Sequence, residues 1–170
     1  MKSEQKIVAL GAASGVVLMA LAVYGLYTVL PAAPGMDSIA FVLKMHVIAL
    51  VPLFIMLIAV GNERFLSDAI DPTRHAEGKD IEVDGRVADN TLQQTFVFVV
   101  ATLGLATVLP LGMGKLFAAL TAVFVLARFA FWAGYRLNPL YRAPGMAATA
   151  YLNLGIILGT LYYLAVGGFY

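Results

Sequence analysis

GRVADNTLQQTFVF, residues Gly85 to Phe98, is where a charged segment turns into an apolar helix. Arg86, Asn90 and Gln93 stand at i, i+4 and i+7 within it. At 3.6 residues per turn they fall on one helical face, stacked over two turns. The chain then runs without a charge to Leu109, where Pro110 ends the span. Polar chemistry therefore projects from the first turns of a membrane helix, whose start falls at about Arg86 or Asn90. The rest of the chain reads as the scaffold that holds this face in place.

The composition agrees. The chain has 170 residues, 61% of them hydrophobic, and a mean hydropathy of +0.87. A soluble domain is roughly 45–50% apolar. The expectation is an all-α integral membrane protein forming one compact bundle. The net charge of +1 gives no argument for nucleic acid as a partner. With no cysteine in the chain, a disulfide framework, a Cys nucleophile and a Cys metal site are excluded.

Working outward, five spans are expected. The first runs from Ile7 to Leu30 without a charge, long enough to cross a bilayer core of about 20 apolar residues. It is too long for the h-region of a signal peptide, and Pro31-Ala32-Ala33-Pro34 makes a poor cleavage site. A retained anchor helix with its linker is expected over 1–38. Gly11 and Gly15 form a small-xxx-small pair that lets helices approach, or reflect only how common glycine is in membrane helices. Pro31 to Gly35 is a tight break, and Asp37 or Ser38 is placed to cap the next helix.

The remaining four spans make a membrane domain over 39–170. They cover about Ile39 to Gly61, the helix described above, Leu116 to Tyr135 and Met146 to Val166. In the Ile39–Gly61 span, Lys44 and His46 sit near the start; snorkelling to the interface accounts for Lys44, His46 reads as interfacial or packed rather than catalytic, and Pro52 falls where it would kink the helix. Residues 62–89 alternate acids and bases around the turn signals Asp71-Pro72 and Glu77-Gly78. They are expected to form a long hydrophilic loop, functional or merely connecting. RLNPLYRAPG, Arg136 to Gly145, is a basic, proline-broken loop.

The basic residues set the orientation. With the amino terminus in the cytoplasm, Lys2, Lys6, Arg64, Arg74, Lys79, Arg86, Arg136 and Arg142 fall on or near that side. Only Lys44 and Lys115 fall toward the other. The 62–89 loop, the Arg86 helix and the 136–145 loop then share one face.

A site follows from that coincidence. Arg128 lies inside the fourth span, and an unpaired Arg at a helix centre costs about 3 kcal/mol on insertion scales, so it should face protein or a polar cavity. Tyr135 is at i+7 from it, on the same face. Arg86, Asn90, Gln93, Arg128 and Tyr135, with Arg142 at the rim, suit a small anion carrying more than one carboxylate. The alternative is structural: Arg86 and Arg128 pair with Glu82 or Asp89 and fasten helices.

The arrangement resembles the MAPEG family, the membrane-associated proteins in eicosanoid and glutathione metabolism. The family's helix opening Arg-x-x-x-Asn-x-x-Glu is matched by Arg86-x-x-x-Asn90-x-x-Gln93 with one change, and bacterial-type members are similar over Asn90-Thr91-Leu92-Gln93-Gln94-Thr95. Arg128, Tyr135 and Arg142 match a second motif, an Arg seven residues before a Tyr and a short loop with another Arg. The resemblance covers about Ile39 to Tyr170. It implies a four-helix transmembrane bundle, here with an additional N-terminal helix, assembled as a homotrimer in an inner bacterial membrane.

Glutathione is implied as co-substrate, bound between subunits near the cytoplasmic face. Arg86, Asn90 and Arg128 would hold its carboxylates and backbone, Tyr135 its body, and Arg142 would favour its thiolate, the reactive form. A small lipophilic substrate would enter from the lipid bilayer. Gln93 departs from the family's acid, and an amide binds an ammonium group more weakly than a carboxylate does. Two functions of different class are carried forward. One is a membrane-bound glutathione-dependent transferase or peroxidase. The other is a non-catalytic membrane protein on the same scaffold that binds a lipid or a partner helix. A transporter is disfavoured, since the five spans show no internal repeat.

Overall fold

The structure, a computed structural model, describes residues 2–32, 38–71, 73 and 76–167. It contains five long helices: α1 (Ser3–Val29), α2 (Ser38–Phe65), α3 (Lys79–Val108), α4 (Gly114–Leu137) and α5 (Ala143–Gly167). All five are long and apolar enough to cross a membrane, and no strand occurs among the described residues. The chain is a multi-pass membrane protein of the expected all-α class. Parts of the Pro31–Gly35 break, Asp37, Pro72 and Arg74 lie outside the described residues. Ser38, the other candidate cap, is the first residue of α2, and that helix runs through the buried Pro52 without interruption.

The charged segment 62–89 is not one long loop. α2 continues to Phe65 and α3 begins at Lys79, so the connector shrinks to residues 66–78, whose described part includes a short 3-10 turn at Asp68–Ile70. The reason is amphipathicity. Ile81, Asp84, Val87, Ala88 and Thr91 are buried at the spacing of one helical stripe, while Glu82, Arg86 and Asp89 face outward. Asp80 and Glu82 lie in the first turn, where negative charge complements the helix dipole. Hydropathy alone places the helix start where the apolar run begins, about two turns too late.

α2 to α5 form the core bundle, and α1 packs along α4 and α5. The main apolar core gathers Phe98, Leu105, Phe117, Leu120, Phe124, Leu152 and Ile156, with the rings of Phe98 and Phe124 stacked at 4.3 Å between centroids. A smaller cluster of Met56, Val87, Ala88 and Phe131 lies toward the end of the bundle that holds the α1 amino terminus. We call this the basic end. His46 is buried and shares a 2.8 Å hydrogen bond with Thr102 of α3, so it is a packed helix tie rather than an interfacial residue.

Two glycines set how closely helices approach. A Cβ on Gly145 would stand 2.6 Å from the Ala127 carbonyl oxygen, and one on Gly15 would stand 2.7 Å from Pro144 Cα. The obstacles are backbone atoms, which cannot swing aside. Gly15→Leu should therefore lift α1 off the bundle while leaving α2–α5 folded. With a protease site engineered after Ala32, the cleaved wild-type α1 should co-elute with the bundle and the variant's α1 should separate. Co-elution in both would show that this contact does not hold α1.

Candidate functional site

The basic end is built where α3, α4 and the start of α5 meet. Asn138 extends the backbone after α4 and its side chain accepts from Leu140 N–H, opening a 3-10 turn at Pro139–Arg142. Pro144 falls in the first turn of α5, where a missing N–H costs nothing. This tight passage aims Arg142 back at α4. Its Nη1 donates to the Pro139 carbonyl at 3.1 Å, and its guanidinium lies 5.0 Å from the Tyr135 ring centroid.

Arg128 is fully buried. Nη1 donates to Asn90 Oδ1 at 2.9 Å and Nη2 to the Gly145 carbonyl at 3.1 Å and to the Thr149 hydroxyl. Its guanidinium also stands 4.6 Å from the Phe131 ring centroid. Its Nε is buried without a partner. Among the described residues every acceptor it uses is neutral, so the charge is solvated there by dipoles and by no carboxylate. A charge inside a membrane helix demands this kind of enclosure.

Arg86 is exposed and pairs with Glu82 one turn earlier at 2.6 Å. The Tyr135 hydroxyl is also within its electrostatic reach. Asn90 is half-buried under it. Gln93 is exposed and makes no hydrogen bond among the described residues. The structure thus connects five of the six expected residues, in the order Arg142, Tyr135, Arg86, then one turn deeper Asn90 and Arg128. Gln93 continues the α3 face outward without joining them. The pairing of Arg86 with Glu82 matches the structural alternative for that residue. Arg128 finds no acid among the described residues.

A second polar cluster was not anticipated. Asp84 is fully buried and accepts from Trp132 Nε1 at 2.8 Å and from Arg136 Nε at 2.9 Å. Arg136 Nη2 reaches both Asp84 and Glu63 of α2 at 2.5 Å. These residues tie α2, α3 and α4 at the basic end. A signal was present in the sequence: Asp84 stands three residues after Ile81 and three before Val87, on the buried stripe, and Trp132 and Arg136 are one turn apart. A like signal marks the polar face of α5, though not which helix that face meets. Gly145, Thr149 and Asn153 recur at every fourth position of α5, and Asn153 donates to the Gln94 carbonyl at 3.1 Å and its side-chain oxygen at 3.0 Å.

Among the described residues no group of three or more His, Asp or Glu is placed to hold a metal ion. The arrangement offers positive charge, neutral amides and an aromatic ring at a membrane edge. In comparisons with known proteins, the family model of the MAPEG family matches residues 42–162. No curated protein and no solved structure matches.

Proposed function

The chain belongs to the MAPEG family, and on that premise we propose that it binds glutathione at the basic end and turns the thiolate on lipophilic electrophiles or lipid hydroperoxides. One observation carries the reading. Among the described residues Arg128 and Arg142 have no carboxylate partner, and Arg86 has only an exposed one. Guanidinium groups left without a counter-ion at a membrane edge are suited to receive an anion from outside the chain.

The roles follow from what each side chain has free. Arg86 and Asn90 are reachable and would take a ligand carboxylate and a peptide group. Arg128, with both terminal nitrogens engaged, acts by orienting Asn90 and by its uncompensated charge. Tyr135 would lie along the body of the tripeptide. Arg142, with a single hydrogen bond to a carbonyl, has donors to spare for a sulfur. A fixed positive charge there favours thiolate over thiol. The thiol proton leaves to solvent, and the sulfur lone pair then forms a bond to an electrophilic carbon of the second substrate, whose leaving group departs with its bonding pair. On a hydroperoxide the sulfur takes the terminal oxygen as the O–O bond breaks, the alcohol leaves, and a second glutathione displaces water to give the disulfide.

The ligand would sit between subunits of a homotrimer, the number three coming from the family. Gln93, Leu92 and Phe96 are exposed side by side on α3. An amide facing hydrocarbon without a partner is costly, and a neighbouring subunit with its ligand would cover it. By the excess of Lys and Arg at the basic end, that end would face the cytoplasm of a bacterial inner membrane.

Calorimetric titration of the detergent-purified protein with glutathione tests the reading. Wild type should bind at millimolar concentration or better. Arg86→Ala and Asn90→Ala should each weaken binding by roughly tenfold or more, the loss of one hydrogen bond to a charged group. No heat from the wild type would abandon glutathione in favour of a non-catalytic membrane protein that holds a lipid or a partner helix.

A further inference from the structure

α1 packs on the bundle along one stripe of its length, with a close contact toward each end. Near the basic end Gly15 lies against the Pro144 backbone. At the opposite end the Lys115 ammonium stands over the Tyr27 ring, 4.2 Å from its centroid. Between these two points Met19, Ala22, Val23 and Leu26 of α1 pack against the core, and beside them a cleft of about 570 Å³ lies between α1 and α5, closed behind by α3 and α4. Met19, Tyr27, Leu120, Tyr151, Gly155 and Tyr163 are among its walls. We propose that this cleft holds one acyl chain of an anionic phospholipid from the leaflet opposite the basic end, with the phosphate at Lys115.

The dimensions fit an acyl chain of one leaflet. From Met19 to Tyr27 α1 rises about 12 Å, close to half of the roughly 30 Å hydrocarbon core. The volume is that of a small-ligand pocket, roughly 300–1,000 Å³. The space is real on the α5 side, since a Cβ built on Gly155 meets nothing within 4 Å and one on Gly159 meets only Leu105, at 4.0 Å.

The charge fits too. Lys115 sits one residue into α4, where the positive end of the helix dipole adds to its own charge. It makes no ion pair among the described residues; the Tyr27 ring is its recorded contact. Tyr27 also lines the cleft, so the cation marks the rim and the apolar wall descends from it. A phosphate at the interface above a tail in the cleft meets both demands. Gly155 lies about 20 Å of helix rise beyond Arg142, so this site is separate from the basic end. α1 also lies outside the matched stretch 42–162.

The test is native mass spectrometry of the full chain, taken into detergent from nanodiscs of phosphatidylglycerol and phosphatidylcholine with identical chains. One phosphatidylglycerol per chain should survive extraction. Gly155→Leu places a side chain in the cleft and restores helix propensity, and should cut retention at least tenfold with helicity unchanged. Gly159→Leu should act in the same way if the first variant folds poorly. Lys115→Gln should keep a lipid but lose the preference for phosphatidylglycerol. Equal retention in wild type and both leucine variants would overturn the proposal. So would a retained free fatty acid, or a leucine variant that alters oligomer mass at unchanged lipid content, which would make the cleft a contact between subunits.

Discussion

Arg142→Ala should lower turnover with a generic electrophile by roughly 10- to 30-fold at pH 7, while glutathione affinity changes little. The ceiling comes from acid–base arithmetic. A thiol with a pKa near 8.5 is a few per cent thiolate at pH 7. A neighbouring positive charge lowers such a pKa by about 1–3 units, so the most it can add is the step from a few per cent to full ionisation. The sign with pH follows. With Arg142 present the thiol pKa would be depressed, so its fold advantage is full below the depressed value and shrinks as the pH rises toward the ordinary value. It vanishes above about pH 9, where the thiol ionises unaided. Rates of wild type and variant should converge there. A loss far above 30-fold, or one that persists at high pH, would assign Arg142 a task other than ionising the thiol. Undiminished turnover at pH 7 would remove it from the chemistry.

The second large effect concerns stability. Arg136→Ala leaves the Asp84 carboxylate fully buried with Trp132 as its remaining donor. Breaking a buried pair from this side costs about 3 kcal/mol or more. The reverse change is mild. Arg136 is 46% exposed and retains Glu63, while an amide at position 84 still accepts from Trp132. Asp84→Asn should therefore cost about 1 kcal/mol. Adding Asp84→Asn to Arg136→Ala should recover most of the loss, because the orphaned charge is gone. Thermal unfolding of the four proteins in one detergent measures the cycle. Additive losses would mean that Asp84 is not the buried, charge-bearing member that the geometry describes.

Much of this molecule is written in one dimension. Five long apolar runs set five membrane helices, because only a helix satisfies its own backbone in hydrocarbon. The spacing of Arg86 and Asn90 set their common face, and the Arg128–Tyr135–Arg142 pattern, read by resemblance, marked the second half of the candidate site. Helix starts were less legible. α3 opens with two turns whose buried stripe is diluted by charge, so mean hydropathy passes over them while periodicity keeps them.

Tertiary structure alone decided which charges find partners. Arg86 and Arg128 look alike as isolated letters in helices. One reaches Glu82 on its own helix, a local contact that spacing permits. The other is solvated by Asn90, Gly145 and Thr149, which come from two other helices and meet only when the bundle closes. Asp84 likewise becomes a buried acceptor only because Trp132 and Arg136 arrive from α4. The cleft beside α1 is of the same kind. Its glycines and tyrosines are visible in the sequence, but the gap exists only once α1 is packed on α4 and α5, and the space left between rigid helices is a property of their packing rather than of any one chain segment.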